Sequence, residues 1–156
     1  VSFVKTESPE PIEIIIINEL ICDIVRTVEK NGVELTIIEK NTIQTSGRQI
    51  QLKRAFNNII DNSQRYAKKI EIILYTNEKD CVIEFNDDGE GIPRDKYEDV
   101  FKPFFTLDPS RNKLKGESGL GLTITRDIIR SHGGDVKLSD SNLGGLQLKV
   151  LLPLWF

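Results

Sequence analysis

Two glycine clusters near the middle of the chain restrict the folds that it can adopt. The first, Asp87-Asp88-Gly89-Glu90-Gly91, directly follows a β-like run, and the second, Gly116-Glu117-Ser118-Gly119-Leu120-Gly121-Leu122, opens a helical pattern. Glycine takes positive φ without a side-chain clash and lets the backbone approach a ligand closely. A helix that begins at the second cluster would present free backbone N–H groups to phosphates. The two clusters therefore predict a nucleotide site, and the stretch between them predicts a mobile loop.

The composition is that of an ordinary globular protein. The 156 residues fit one domain, and the net charge of -3 lacks the basic excess of a nucleic-acid-binding protein. No apolar run approaches the ~18 residues that cross a bilayer, and the start of the chain has no signal-peptide layout. Cys22 and Cys81 are far apart within apolar segments, which predicts reduced core residues. The absence of methionine suggests a piece of a longer protein, although removal of an initiator methionine before Val1 would look the same.

The hydrophobic pattern predicts an α+β fold. Strands and helices alternate irregularly, with hairpins in place of repeated βαβ units, which favours a two-layer α/β sandwich. We expect a flexible lead-in over 1–10 and a folded domain over 11–156. The predicted helices cover 18–30, with Asn31-Gly32 at the end, 48–66 and 120–131, and the predicted strands cover 12–17, 34–38, 42–44, 69–75, 81–85, 136–138 and 146–152.

The predicted helix over 48–66 has an apolar face and a polar face. Asn58 and Asn62 are one helical turn apart and project together from the polar face. A side-chain amide oxygen suits Mg²⁺, which usually keeps several waters and bridges nucleotide phosphates. Asn62 is therefore the candidate metal ligand. The same spacing also occurs on helix faces that only contact solvent.

Asp87 is the candidate for recognition of a base. It comes directly after a predicted strand and before the turn made by Gly89 and Gly91, so its carboxylate is expected to point into a cleft floored by the sheet. A carboxylate there can accept a hydrogen bond from an adenine amino group. Asp-Gly sequences are also common in plain surface turns, and the residues alone leave both interpretations open.

An aromatic segment precedes the loop between the glycine clusters. Residues 100–106 are rich in phenylalanine and are partly explained as a core plug. The next stretch has little to bury and carries Lys113 and Lys115. We therefore predict a mobile lid over about 106–117 whose basic residues close over phosphates.

Taken together and in this order, these features resemble the ATP-binding catalytic domain of sensor histidine kinases, in the superfamily shared with DNA gyrase and the MutL repair ATPases. The resemblance covers nearly the whole chain. Its four boxes are the asparagine box at Asn58 to Tyr66, the first glycine cluster, the phenylalanine box Phe101-Lys102-Pro103-Phe104, and the second glycine cluster.

The resemblance implies a Bergerat-type ATP-binding fold, in which three helices cover one face of a mixed β-sheet. It also implies a site for ATP and Mg²⁺, with catalytic roles for Asn58, Asn62 and Arg65 and with Asn62 on the metal. Phe101 and Phe104 would anchor the lid. The implied nucleotide-binding residues are Asn58, Asn62, Arg65, Tyr66, Asp87, Gly89, Gly91, Ile92, Phe101, Phe104, Lys113, Lys115, Ser118, Gly119, Leu120, Gly121 and Leu122.

Asn58 separates two kinds of chemistry. In the ATP-hydrolysing branches of the superfamily a glutamate typically activates water at this position, whereas an asparagine accepts no proton at neutral pH. The sequence thus favours phosphoryl transfer over hydrolysis. The single histidine, His132, precedes Gly133-Gly134, and we interpret it as a residue at a helix C-terminus that interacts with the helix dipole, not as a phosphoacceptor.

The expected function is transfer of the γ-phosphoryl group of ATP to a histidine on a separate dimerisation domain, and onward transfer to an aspartate of a response regulator. The resemblance implies these two partners, a homodimer in the full-length protein, and a cytoplasmic location in an inner-membrane sensor. No nucleic-acid partner is expected. Two alternatives stay open, namely a non-catalytic ATP-sensing module that binds other proteins and a stand-alone ATPase.

Overall fold

Three amphipathic helices pack on one face of a five-stranded sheet in the computed structural model, which describes residues 10–28, 30–105 and 121–155. The predicted two-layer α+β sandwich is confirmed. The elements are β1 (Glu13–Ile16), α1 (Ile17–Thr27), β2 (Glu34–Glu39), β3 (Gln44–Gly47), α2 (Gln49–Tyr66), β4 (Lys69–Thr76), β5 (Asp80–Asp87), 3₁₀ turns at Arg94–Lys96 and Asp99–Phe101, α3 (Gly121–Ser131), β6 (Asp135–Asp140) and β7 (Leu146–Pro153).

The main sheet is mixed. Its strand order is β2-β4-β5-β7-β6, with β2 and β4 parallel and every other neighbouring pair antiparallel. Because α2 lies between β2 and β4 in the chain, it supplies the crossover that a parallel pair requires. β1 and β3 form a separate antiparallel pair. β5 is the central strand, and it ends at Asp87.

The predicted hairpin between β4 and β5 is present, and its turn has a local cause. The side-chain oxygen of Asn77 accepts hydrogen bonds from the backbone N–H groups of Lys79 and Asp80 at 3.3 and 2.9 Å. An asparagine that bonds its own downstream backbone in this way imitates a backbone turn.

The core lies between the helices and the inner face of the sheet. Along β5, Cys81, Ile83 and Phe85 alternate onto the helix side and are buried. Phe56 of α2 meets Phe85 there, with ring centroids 6.2 Å apart. The apolar face of α2 is therefore fixed against the central strand, and its polar face is turned away from the core.

Helix α1 ends at Thr27, four residues before the predicted stop at Asn31-Gly32. The Thr27 hydroxyl donates to the carbonyl oxygens of Asp23 and Ile24, and the next residue is extended. Hydroxyl bonds of this kind compete with continuation of the helix. Asn31 and Gly32 instead form the positive-φ turn, at 48° and 81°, that leads into β2.

Strand β3 begins later than predicted because residue 43 is already bonded elsewhere. The Ile43 N–H donates to the side chain of Asn18 at 2.8 Å, and its carbonyl accepts from Ile17 N–H at 3.0 Å. Both of its backbone groups are thus used by the start of α1. Pairing with β1 begins only at Gln44.

The two cysteines differ. Cys81 is buried, and burial raises the pKa of its thiol to about 11, which confirms the predicted reduced core residue. Cys22 is only half-buried on α1, so its assignment to the core is wrong. It lies on the outer side of the helix, beside Asn18, Asp23 and Glu39, around a shallow polar depression.

We expect Phe56→Ala to lower the free energy of unfolding by about 3–5 kcal/mol, because the ring is fully buried and the cavity against Phe85 cannot collapse. The matched control is Ile50→Ala on the same helix, where the side chain is 73% exposed. That control should change stability by no more than about 0.5 kcal/mol. Urea unfolding of both variants measures the difference, and equal losses would contradict the assigned faces of α2.

Candidate active site

Asp87 is held by one carboxylate oxygen at the end of the central strand. The residue is 6% exposed, and its Oδ1 accepts hydrogen bonds from the backbone N–H groups of Gly89 and Leu146, each at 3.0 Å. Within the described part of the chain its Oδ2 has no hydrogen bond. Burial raises the pKa of Asp87 above its ordinary value, and the two backbone donors offset this only in part. The second oxygen is available to a ligand that donates a hydrogen bond.

The turn between β6 and β7 packs directly on this carboxylate. The backbone N–H of Gly145 donates to the carbonyl oxygen of Asp87 at 3.1 Å. A Cβ added at Gly145 would overlap Asp87 Oδ1 and lie 2.5 Å from the nitrogen of Gly89. Only glycine therefore fits at position 145. Gly91, in the first glycine cluster, has a φ of 73°, which glycine adopts without a side-chain clash.

The first glycine cluster is tied to the end of α2. A Cβ on Gly89 would lie 2.6 Å from the carbonyl oxygen of Tyr66, the last residue of that helix. Asp88 Oδ1 accepts from the backbone N–H groups of Lys68 and Lys69 at 2.8 and 2.9 Å, and these bonds lower the pKa of Asp88. The asparagine helix and the first glycine cluster thus form one continuous surface.

The polar face of α2 also meets the start of α3. Asn58 Nδ2 donates to the carbonyl oxygen of Gly121 at 3.4 Å. One turn further along α2, Asn62 is half-buried, as are Arg65 and Tyr66 near the end of the helix. The structure therefore brings the asparagine box, the first glycine cluster and the described end of the second cluster together.

The side chains present fit Mg²⁺ better than a metal that needs a dense protein cage. Across residues 10–28, 30–105 and 121–155, no three His, Cys, Asp or Glu side chains converge on one point. Mg²⁺ is commonly held by one or two protein oxygens together with waters and phosphates. The half-buried Asn62 can supply one such oxygen on the polar face of α2.

Phe101 precedes residues 106–120 in the chain and packs against α3, the helix that follows them. Its ring is 5% exposed and lies under Arg126 of α3, whose guanidinium carbon is 4.2 Å from the ring centroid. Arg126 also donates to the Glu98 carboxylate at 2.9 and 3.2 Å, and Thr123 Oγ1 donates to the Phe101 carbonyl at 2.6 Å. Residues 98–101 are thereby fixed against the first turns of α3.

The other residues that the resemblance assigns to the nucleotide site differ in how far they are exposed. Phe104 is 70% exposed and has a φ of 62°, so its ring packs on no core surface here. Ile92 and Leu122 are half-buried, and Leu122 packs against the core. The predicted lid and the residues Lys113, Lys115, Ser118, Gly119 and Leu120 lie outside the described residues.

Sequence reasoning missed the contribution of the β6–β7 turn. Gly145 and Leu146 support Asp87 although they are 58 and 59 positions away from it in the chain. The Gly144-Gly145 pair before the last strand is the sequence feature that would have indicated a close backbone contact. Arg126 was missed for the same reason, because its partners are non-local.

Gly145→Ala is expected to lower the free energy of unfolding by more than about 2 kcal/mol, because the new methyl group overlaps Asp87 and overpacking forces the backbone to shift. Asn142→Ala, an exposed position on the same turn, is the control and should stay within about 0.5 kcal/mol of the wild type. Thermal unfolding of the two variants checks this. A fully stable Gly145→Ala protein would show that the turn does not pack on Asp87.

Comparison with known proteins agrees with this geometry. Residues 47–155 match the family described as histidine kinase-, DNA gyrase B-, and HSP90-like ATPase. The chain is 40% identical over 105 residues to the sensor histidine kinase CpxA of Escherichia coli (strain K12), which is 67% of this chain and 23% of CpxA. It is 31% identical over 149 residues to the sensor histidine kinase GtrS of Pseudomonas aeruginosa, which is 95% of this chain and 30% of GtrS. The chain thus spans about a quarter of the length of these curated relatives.

The fold is also that of solved structures. The mycobacterial sensor histidine kinase MprB superposes with a TM-score of 0.79 over 91% of this chain and 97% of that one, at 24% sequence identity. The match to the family covers Asn58, Asn62, Asp87 and both glycine clusters, which are the residues that carried the resemblance in the sequence. The chain therefore belongs to the histidine kinase-, DNA gyrase B- and HSP90-like ATPase family, as an ATP-binding catalytic domain of the sensor histidine kinase type.

Proposed function

We propose that this chain binds ATP with Mg²⁺ and donates the γ-phosphoryl group to a histidine of a dimerisation domain, which passes it to an aspartate of a response regulator. In the transfer, an imidazole nitrogen forms a bond to the γ-phosphorus, and the bond from that phosphorus to the β–γ bridging oxygen breaks. ADP is the leaving group. The proposal extends the family membership to the site residues, the metal and the partners.

The observation that carries the proposal is the half-used carboxylate of Asp87. Oδ1 accepts from two backbone donors, and among residues 10–28, 30–105 and 121–155 no group donates to Oδ2, which suits it to a donor on a ligand. An adenine amino group is such a donor, and a buried bond of this kind discriminates strongly between ligands that have the donor and ligands that lack it. Asp87 would then set the position of the base at the closed end of the site.

The polar face of α2 would hold the phosphate end. Asn62 would ligate Mg²⁺, Asn58 would support the metal and phosphates, and Arg65 would contact a phosphate oxygen. Bound Mg²⁺ would offset phosphate charge as the leaving group develops negative charge. The described start of α3 at Gly121, 3.4 Å from Asn58 through its carbonyl, supports placement of the triphosphate beside this helix.

Asn58 favours transfer over hydrolysis. Its amide donates to Gly121 and has no basic lone pair with which to activate water. We therefore expect slow steady-state release of phosphate from ATP by this chain alone. Rapid release would favour the stand-alone ATPase, and nucleotide binding without any transfer to a histidine domain would favour the ATP-sensing module.

The proposed setting is the cytoplasmic part of an inner-membrane sensor that dimerises. The support for it is the similarity to sensor histidine kinases. The chain matches about a quarter of the length of each of these relatives. None of the helices described in the structure is both long enough and apolar enough to cross a membrane.

Asp87→Asn should weaken ADP binding by about ten- to a hundredfold, because the variant replaces a charged acceptor with an amide that can present a donor to the base. Asp88→Asn is the matched control. It removes a neighbouring charge but retains the oxygen that bonds Lys68 and Lys69, so its affinity should stay within about twofold. Calorimetry with ADP measures both, and equal affinities in the two variants would refute the assignment of Asp87.

The same variant should not lose stability. Burial raises the pKa of Asp87, so the ionised form costs folding free energy above that pKa, and the cost disappears as pH falls through it. Asp87→Asn should therefore be at least as stable as the wild type at pH 7. The difference in unfolding free energy should shrink as the pH is lowered toward about 4.

Asn62→Ala should weaken ADP binding mainly when Mg²⁺ is present, because the lost oxygen contacts the nucleotide only through the metal. Asn57→Ala, a half-buried position elsewhere on the same helix, serves as the control. Calorimetry in Mg²⁺ and in EDTA separates the two conditions. An equal loss with and without Mg²⁺ would count against Asn62 as a metal ligand.

A further inference from the structure

His132 connects the end of α3 to the start of α2. Its Nδ1 lies 2.8 Å from the carbonyl oxygen of Ile128 in the last turn of α3, and its Nε2 accepts a hydrogen bond from the backbone N–H of Arg48 at 3.0 Å. A carbonyl oxygen can only accept, so Nδ1 must carry the proton. A backbone N–H can only donate, so Nε2 must be unprotonated. The two contacts together specify one neutral tautomer of the imidazole.

The imidazole is also enclosed by β3. A Cβ added at Gly47 would lie 2.5 Å from His132 Cδ2 and 2.9 Å from its Nε2. No side chain other than hydrogen fits between the strand and the ring. The absence of a side chain at position 47 is therefore a requirement of the histidine contact.

In the described part of the chain, hydrogen bonds link α2 and α3 at several points along their length, and the bond between His132 and Arg48 is at one end. At the middle of the pair, the Thr125 hydroxyl donates to the carbonyl oxygens of Gly121 at 2.8 Å and, more weakly, of Ala55 at 3.4 Å. At the other end, Asn58 donates to Gly121. The two helices are thus antiparallel, with His132 at one end of the pair and the candidate phosphate site at the other.

Charged groups at the start of α2 are already engaged by the backbone beside this contact. The Glu10 carboxylate accepts from the backbone N–H groups of Ile50 and Gln51 at 2.6 and 3.2 Å, and the Arg48 guanidinium donates to the Glu10 carbonyl at 2.9 Å. Glu10 already supplies the negative charge that a helix N-terminus attracts. A protonated Nε2 would instead face the Arg48 N–H, donor against donor.

We infer that His132 is a positioning residue for phosphoryl transfer, because as the neutral Nδ1–H tautomer it fixes the register of α3 on α2 and so holds Gly121 against Asn58. The inference rests on the proposed function, since it assigns His132 to the same nucleotide site. If the bond between His132 and Arg48 is lost, α3 shifts along α2 for part of the time. Only molecules with Gly121 in place bind nucleotide fully, so the apparent affinity falls in proportion to the fraction of such molecules.

The tautomer is tested directly by ¹⁵N NMR of the chain, in which His132 is the single histidine. At pH 7.5 the spectrum should show a protonated Nδ1 and an unprotonated Nε2. A protonated Nε2, whether in the other tautomer or in the cation, would overturn the proposal. The measurement needs no nucleotide, so its outcome is independent of the proposed function.

Variants of His132 test the positioning role. His132→Ala should weaken binding of Mg-ADP by up to about fivefold, because loss of one hydrogen bond shifts the docking equilibrium of α3 by at most about that factor. His132→Gln, which offers an amide oxygen near the position of Nε2, should recover most of the affinity, whereas His132→Asn, which replaces only Nδ1, should not. Asp127→Ala is the control, because its side chain is exposed on the same helix; Ser131 is unsuitable, since its hydroxyl lies 3.4 Å from His132 Nδ1. Wild-type affinity in His132→Ala, measured where all variants are folded, would overturn the proposal.

A second test displaces the ring without removing it. Gly47→Ala should weaken Mg-ADP binding and stability in the wild-type background, since its methyl group occupies the space of the imidazole, and should cost much less in the His132→Ala background. Equal losses in both backgrounds would overturn the proposal. If the wild-type chain binds no Mg-ADP, the proposed function fails, and the unfolding free energies of these four proteins then decide whether His132 links the helices.

Discussion

The close contact around Asp87 is the interaction on which the candidate site depends. Three separate parts of the chain meet there, namely the end of the central strand, the β6–β7 turn at Gly145 and, through Gly89, the last carbonyl of α2. Each approach is close enough to exclude a Cβ. The carboxylate is consequently buried and oriented before any ligand arrives, which lowers the ordering cost of binding.

A second constraint sets the phosphate end of the site. α2 is fixed to the sheet by Phe56 against Phe85, and α3 is fixed to α2 by polar contacts along its length. The position of α3 on α2 sets the position of Gly121, the described end of the second glycine cluster, beside Asn58. The proposed base end depends on backbone packing and the proposed phosphate end on the register of two helices, so separate substitutions should perturb the two ends.

Much of this arrangement could be predicted from local patterns. The period of apolar residues identified the helices and the sheet strands, and the order of the boxes identified the family. The differences have two causes: the local bonds of the Thr27 hydroxyl end α1 early, whereas a non-local bond from the N–H of Ile43 to Asn18 delays β3. The supports of the site were missed because they too are non-local. Gly145 next to Asp87, and His132 next to Gly47, are pairs that only the folded chain brings together.

We propose that Asp87 selects the base while the face of α2 that carries Asn62 holds the metal and phosphates. A crystal structure of this chain with Mg²⁺ and a non-hydrolysable ATP analogue tests it most directly. We expect the adenine amino group about 2.7–3.2 Å from Asp87 Oδ2 and Mg²⁺ about 2.0–2.1 Å from the side-chain oxygen of Asn62. A nucleotide bound elsewhere, or bound there with Asp87 Oδ2 facing no base, would contradict it.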